Sequence, residues 1–127
     1  MKQLNGLTVG TILLLEDEPF IALDLEEILS EAGFTQIRTI VSCAEAESWL
    51  QEGDPMLAIV DPRLQDGMCS GVVRTLVERK VPFIVYSGDV ETVSEQEPAF
   101  AFGIWLSKPS PPGDIIQAIK TTLLGRL

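Results

Sequence analysis

Short apolar runs alternate with longer segments in which apolar residues recur at helical spacing. The apolar runs have strand length and little internal alternation, which is typical of strands buried on both faces. They cover residues 11–15, 56–60, 83–86 and 104–106, and a weaker run that includes Arg38 and Thr39 predicts a further strand near Ile37–Val41. The alternation predicts βαβ units, and therefore an α/β fold with a parallel five-stranded sheet and helices on both of its faces.

The segments between these runs predict amphipathic helices. The first begins around Pro19 and ends at Gly33, with apolar residues spaced to face a core. Asp17 precedes it and is predicted to cap its first turn. Residues 71–80 and the segment from Ile115 to Leu124 predict two more helices. Residues 89–102 carry several acids and Pro98, so the fourth helix is expected to be short or displaced.

Polar residues follow four of the predicted strands. Glu16 and Asp17 end the first, Asp61 the third, Ser87 and Gly88 the fourth, and Lys108 and Pro109 the fifth. In parallel α/β sheets, ligands bind beyond the carboxyl ends of the strands. Carboxylates ~4 Å apart repel by about 4 kcal/mol at an effective dielectric of ~20, so a cluster of three acids favours a hard cation. Mg²⁺ prefers such oxygen ligands and commonly bridges carboxylates to phosphate.

This order of strand-end residues resembles the receiver domain of two-component response regulators. The resemblance implies a flavodoxin-like, doubly wound (βα)5 sandwich of three layers, with strand order 2-1-3-4-5. It also implies that Asp61 accepts a phosphoryl group from a histidine kinase or a His-containing phosphotransfer protein. Asp17 and Asp61 would ligate Mg²⁺ (or Mn²⁺) directly, Glu16 through water, and Arg63 through its backbone carbonyl.

The same resemblance assigns roles to the later strand ends. Lys108 and the amide of Gly88 would bind the phosphoryl oxygens, and Ser87 would donate a hydrogen bond to one of them. Trp105 would fill the space that Ser87 leaves on moving, and Pro109 would follow a cis peptide bond. The sequences of residues 19–29 and 81–88 resemble those of an alphaproteobacterial subgroup of stand-alone receivers.

Several positions depart from the family pattern. Glu16 replaces the commoner Asp, Pro62 has no amide to donate, Arg63 places a cation beside the acids, and Ser110 stands where an aromatic residue is common. Pro62 and Arg63 keep open the alternative of a pseudo-receiver that binds a protein constitutively. A phosphatase of this fold needs a second Asp where Arg63 stands, and a flavodoxin needs a Ser/Thr/Gly-rich loop after the first strand.

Composition narrows the function classes further. The chain has 127 residues, of which 46% are hydrophobic, and a formal net charge of −10 without any basic run. We therefore expect one receiver domain over residues 1–127 without an output domain, no binding to nucleic acid or membrane, and a monomer or weak dimer. The absence of His excludes a His-based triad, and no signal peptide is recognisable. A cytoplasmic location is expected, with an unknown output protein as partner.

The two cysteines, Cys43 and Cys69, form no C-x-x-C motif. We expect each to be a reduced thiol in the core or at the surface rather than a metal ligand or half of a disulfide.

Overall fold

A computed structural model describes residues 9–88, 93 and 95–125. Its main sheet contains five parallel strands in the order β2-β1-β3-β6-β7. These are β1 (Thr11–Leu15), β2 (Ile37–Ile40), β3 (Pro55–Val60), β6 (Phe83–Ser87) and β7 (Ile104–Ser107). When only these five strands are numbered along the chain, their order in the sheet is 2-1-3-4-5. The predicted fold class is therefore confirmed.

Four α-helices have both ends within the described residues and cover the sheet. They are α1 (Pro19–Glu31), α2 (Cys43–Leu50), α3 (Ser70–Glu78) and α4 (Pro112–Leu124). The predicted short or displaced fourth helix falls partly outside the described residues, because 89–92 and 94 are not among them. Of the described residues in that segment, 93, 95 and 96 are α-helical and Pro98–Phe102 form a 3-10 helix. None of the described helices is long and apolar enough to cross a bilayer.

The core lies in two layers, one on each face of the sheet. Leu13 and Leu15 of β1 pack in the layer that includes residues of α2 and α3, whereas Ile12 and Leu14 pack in the layer that includes residues of α1 and α4. Successive residues of a strand point to opposite faces, so a strand buried on both sides must be apolar throughout. This requirement explains the uninterrupted apolar runs of the sequence.

A small antiparallel hairpin follows β3. It pairs β4 (Arg63–Leu64) with β5 (Gly67–Met68), and Gly67 has φ +117°, a left-handed backbone angle that glycine adopts readily. The amide of Cys69 then donates to the carbonyl of Pro62 at 2.9 Å. The hairpin is therefore closed at its base, directly after Asp61.

Two sequence predictions are wrong. Cys43 and Cys69 form a disulfide, because folding brings the amino ends of α2 and α3 together with a Cα–Cα distance of 5.1 Å, within the range a disulfide spans. Their sequence separation of 26 gives no hint of that proximity. Asp17 does not cap α1: the N-cap is Glu18, and its amide donates to the Glu16 carboxylate at 3.2 Å.

Candidate functional site

Backbone pairing brings the predicted site residues to one edge of the sheet. The amide of Asp61 donates to the carbonyl of Leu15 at 2.9 Å, which places Asp61 beside the end of β1. The amide of Lys108 likewise donates to the carbonyl of Ser87 at 3.1 Å, beyond the ends of β6 and β7. The sheet itself therefore positions both residues.

Three carboxylates form a cluster at this edge. Ligand oxygens of Glu16, Asp17 and Asp61 all lie within 4.8 Å of one another. Glu16 is buried, while Asp17 and Asp61 are half-buried. The cluster thus combines one carboxylate inside the protein with two that solvent reaches.

Lys108 is the one cation in ion-pair contact with this cluster within residues 9–88, 93 and 95–125. Its Nζ lies 2.7 Å from Oε1 of Glu16 and 2.9 Å from Oδ2 of Asp61. The contact with Asp61 is a hydrogen bond, whereas none of the described residues donates to Oε1 of Glu16 with hydrogen-bond geometry. The 2.7 Å between Lys108 Nζ and Glu16 Oε1 still makes that contact an ion pair. Lys108 therefore balances part of the negative charge.

The two ends of this ion pair respond to burial differently. Burial raises the pKa of Glu16 above its ordinary 4.5, and the opposing charge of Lys108 and the amide of Glu18 do not cancel that rise. Burial alone would lower the pKa of Lys108, but the carboxylates of Glu16 and Asp61 outweigh it and raise that pKa above 10.5. The lysine is thus held in its charged form beside the acids.

Ser87 and Trp105 lie on neighbouring strands, as predicted. Val85 is the residue paired with Trp105, two positions before the buried Ser87. The indole of Trp105 is half-buried, and its Nε1 donates to the carbonyl of Phe100 at 3.2 Å. Gly88 is exposed and follows β6 directly. Trp105 therefore connects the fifth strand of the sheet to the 3-10 helix.

The residues after Asp61 shape its surroundings. The amide of Arg63 donates to Oδ1 of Asp61 at 3.1 Å, so the carboxylate accepts one hydrogen bond at each oxygen. The Arg63 side chain points elsewhere: it donates to Gln96 at 3.2 Å, ahead of the 3-10 helix. Its guanidinium is thus engaged outside the acid cluster and makes no ion pair within it.

Two further residues of this edge were missed by the sequence analysis. The amide of Ser110 donates to the Tyr86 hydroxyl at 3.1 Å, and Lys108 Nζ lies 5.6 Å from the centre of the Tyr86 ring. Asp66 accepts from the amides of Cys43 and Ala44 at 2.8 and 3.0 Å, and these bonds lower its pKa from 3.8. Tyr86 reads as an ordinary core residue and Asp66 as a turn residue, so nothing in the sequence indicated either contact.

The donor chemistry of the cluster fits a small divalent cation. All three side chains offer hard oxygen ligands, and Asp17 makes no ion pair or hydrogen bond that would occupy its carboxylate in the described part of the chain. Glu16, Asp17 and Asp61 are therefore the residues that would hold Mg²⁺.

Comparison with known proteins agrees with this architecture. The sequence model of the response regulator receiver domain matches residues 12–120. Photosynthetic apparatus regulatory protein RegA of Cereibacter sphaeroides is 31% identical over 118 residues, which are 90% of this chain. The match spans 62% of RegA, so this chain covers less than two thirds of that relative.

Two solved structures extend the comparison. A response regulator receiver protein from Sinorhizobium medicae is 28% identical with a TM-score of 0.81, and the match covers 96% of this chain and 100% of that one. The receiver domain of sensor histidine kinase PA1611 from Pseudomonas aeruginosa, solved with magnesium in its active site cleft, has a TM-score of 0.77 at 18% identity, covering 90% and 97% of the two chains. The second likeness concerns the fold alone.

Proposed function

Because the chain belongs to the receiver domain family of response regulators, we propose that it is a signalling switch set by Mg²⁺-dependent phosphorylation of Asp61. The observation that carries this proposal is the position of the Asp61 carboxylate. It lies at the end of β3, 2.9 Å from Lys108 and within 4.8 Å of the oxygens of Glu16 and Asp17.

In the proposed reaction, an oxygen of Asp61 attacks the phosphorus of a phosphohistidine on the partner protein. The new P–O bond forms as the P–N bond breaks, and the imidazole leaves. The transferred group passes through a loose transition state with spread negative charge, so positioning and positive charge matter more than acid–base chemistry. Asp17, Asp61, the Arg63 carbonyl and, through water, Glu16 would hold Mg²⁺, which would supply part of that positive charge.

Lys108 has the second part in this proposal. In the unphosphorylated site its ammonium pairs with Asp61 and Glu16. Once Asp61 carries the phosphoryl group, Lys108 exchanges the Asp61 oxygen for a phosphoryl oxygen and keeps Glu16 as its partner. The amide of Gly88 and the hydroxyl of Ser87 donate to the remaining oxygens. Glu16 therefore keeps the ammonium at the site in both states.

We infer a switch from the neighbouring positions of Ser87 and Trp105. A Ser87 hydroxyl drawn to the phosphoryl group vacates volume beside the indole, and a ring that has lost contacts on one side gains dispersion energy by rotating inward. That rotation breaks the bond from Trp105 Nε1 to the carbonyl of Phe100, which lies in the 3-10 helix. Phosphorylation is thus coupled to the surface around that helix.

The proposed partners are a histidine kinase or a His-containing phosphotransfer protein, and an output protein that recognises the switched surface. Relay of the phosphoryl group onward is the other form of output. The cluster of Glu16, Asp17 and Asp61 supports a metal-dependent mechanism. The likeness to the Sinorhizobium response regulator receiver protein supports a role as a receiver module, which we propose acts as a stand-alone regulator. A cytoplasmic location fits these partners.

Mass measurement with a small phosphodonor tests the acceptor. The protein should gain one phosphoryl group in the presence of Mg²⁺ and none when the metal is chelated. Asp61→Asn should abolish the gain, whereas Asp54→Asn, which removes an acid at the opposite end of β3, should keep it. Undiminished labelling of Asp61→Asn would mean that another residue is the acceptor.

Fluorescence of Trp105 tests the switch. In a Trp49→Phe background, a phosphate mimic such as beryllofluoride with Mg²⁺ should change the emission of Trp105, because its ring and its Nε1 bond both move. Ser87→Ala should uncouple that change while leaving the mass gain at Asp61. Unchanged emission with Asp61 demonstrably occupied would favour a pseudo-receiver, which keeps the fold without switching.

A further inference from the structure

The disulfide between Cys43 and Cys69 lies just outside the acid cluster, where two helices begin. Cys43 is the first residue of α2 and Cys69 is the N-cap of α3. The amide of Cys69 donates to the carbonyl of Pro62, the residue that follows Asp61. The backbone of Cys69 is therefore hydrogen-bonded directly to the residue that follows the proposed acceptor, Asp61.

The segment between Asp61 and Cys69 is tied to α2 at a second point. Asp66 accepts from the amides of Cys43 and Ala44, so its carboxylate caps the helix whose first residue is Cys43. The disulfide and this cap hold the hairpin of β4 and β5 against α2. That hairpin contains Arg63, whose amide donates to Asp61.

The residues around the disulfide also provide a suitable environment for the two reduced cysteines. Both side chains lie in the apolar layer with Leu64 and Val73, where a thiol packs as a small apolar group. The sulfur of Cys43 also lies 3.3 Å from the carbonyl oxygen of Gly67, close enough for a thiol to donate to it.

We propose that Cys43 and Cys69 form a reversible, redox-controlled disulfide that sets the order of the segment from Pro62 to Cys69. A disulfide of the glutathione class serves as the oxidant. The thiolate of Cys43, the less buried of the two residues and the one that begins α2, attacks one sulfur of this oxidant and expels a glutathione thiolate. The thiolate of Cys69 then attacks the Cys43 sulfur and expels the second. Two cysteine thiols lose two electrons, the oxidant becomes two thiols, and the two protons pass to them.

Thiol trapping in glutathione buffers of graded redox poise, read by mass, tests whether the pair exchanges. Reducing buffers should leave both cysteines open to alkylation after denaturation, and oxidising buffers should protect both. In oxidising buffer Cys69→Ser should stop at a mixed disulfide of Cys43 with glutathione, seen as one added glutathione by mass, whereas Cys43→Ser should keep an alkylatable thiol at Cys69. Two thiols that stay reactive in every buffer, or a disulfide that stays intact in every buffer, overturn the proposal.

Amide hydrogen exchange tests the effect on the segment. Reduction should speed exchange at Cys69 roughly tenfold or more, since the segment then opens locally without the crosslink. Amides in the middle of β1 and β3 should be unaffected. The double variant Cys43→Ser/Cys69→Ser should match the reduced protein in every buffer. Equal exchange in the oxidised and reduced proteins overturns the proposal.

Titration with Mg²⁺ alone compares the metal affinity of the oxidised and reduced proteins, and this comparison rests on the proposed function. Groups that orient metal ligands typically change metal affinity by about 10-fold or more, so reduction should weaken Mg²⁺ binding by roughly that factor. Faster exchange without any change in Mg²⁺ affinity would confine the redox effect to the segment itself and overturn its extension to the metal site. Mg²⁺ binding in neither state would instead refute the proposed function, while the exchange data still decide the redox inference.

Discussion

At the scale of single residues, the site concentrates more negative charge than its own cation neutralises. Glu16, Asp17 and Asp61 approach one another within 4.8 Å, and in the part of the chain that the structure describes Lys108 forms ion pairs with Glu16 and Asp61 but not with Asp17. Asp17 is therefore repelled by two acids without a cation of its own. Such an arrangement costs stability and is kept where function needs it.

Replacing Asp17 by Asn should stabilise the metal-free protein. Removing one charge that lies a few ångströms from two others should raise the free energy of unfolding by about 1 kcal/mol, the size of a pair interaction at ~4 Å in water-like surroundings. Added Mg²⁺ should stabilise the wild type and leave Asp17→Asn nearly unchanged. Urea denaturation with and without Mg²⁺ measures both effects.

Glu18→Gln is the matched control, because Glu18 is exposed and its carboxylate is not part of the cluster. It should keep the stabilisation by Mg²⁺. Equal responses to Mg²⁺ in the two variants would place the cation elsewhere.

The sequence predicted the residues that are fixed by the sheet and missed those fixed by loops. Glu16, Asp61 and Lys108 follow parallel strands, whose carboxyl ends share one edge whatever the loops do. The bond from Ser110 to Tyr86 and the cap by Asp66 depend on how loops turn back. Such contacts have no periodicity from which they could be inferred.

At the scale of elements, the least regular part of the chain is anchored by polar contacts. Glu97, just before the 3-10 helix, is buried, accepts from the amide of Ala99 at 3.2 Å and pairs with Arg74 of α3 at 2.6 Å. Burial alone would raise the pKa of Glu97, but these contacts lower it below 4.5. Two charged side chains thus hold the helix where the apolar pattern is weak.

The sequence pattern could not predict the 3-10 helix or the short hairpin of β4 and β5. The 3-10 helix and the two-residue strands β4 and β5 are too short for an apolar period to appear. β1, β3, β6 and β7 were recognisable for the opposite reason, because each contains a continuous apolar run, whereas β2 is interrupted by Arg38 and Thr39.

Gly103 joins the 3-10 helix to β7 at a point of close approach. A Cβ at this position would overlap the Phe83 ring and lie 3.0 Å from the Phe83 carbonyl oxygen. Phe83 is buried in β6, so it has little room to yield. Gly103→Ala should therefore lower the free energy of unfolding by about 1 to 3 kcal/mol, the usual cost of overpacking.

Gly113→Ala provides the control for this measurement by urea denaturation. Gly113 lies in the first turn of α4 with open space where a Cβ would be, so alanine there should be neutral or stabilising by up to about 1 kcal/mol. Equal effects at the two glycines would contradict the packing at Gly103.

At the scale of the whole molecule, the formal net charge of −10 determines which partners the protein approaches. Lys and Arg number nine against nineteen Asp and Glu, so the long-range field repels polyanions and favours partners with basic surfaces. A fold of this size places nearly all of its acids at the surface, where the field acts.

The protein should therefore not bind duplex DNA at physiological salt. Binding by counterion release requires several cations that replace those of the phosphates, and the acidic surface opposes that exchange. A gel-shift titration with the isolated protein, repeated at low salt, measures this. A sequence-specific shift of the purified chain would contradict the prediction.

The crosslink from Cys43 to Cys69 also turns part of the polypeptide into a closed covalent ring, with consequences for how the molecule comes apart. The two Asp–Pro peptide bonds of the sequence, Asp54–Pro55 and Asp61–Pro62, both lie inside that ring. Asp–Pro bonds are the first to break in dilute acid, because the neighbouring carboxyl assists the cleavage. A single cut at either bond leaves one covalently continuous molecule, heavier only by the water taken up. Cuts at both release residues 55–61 as a free peptide that ends in Asp61, while the stretches before and after it stay joined until a reductant opens the ring.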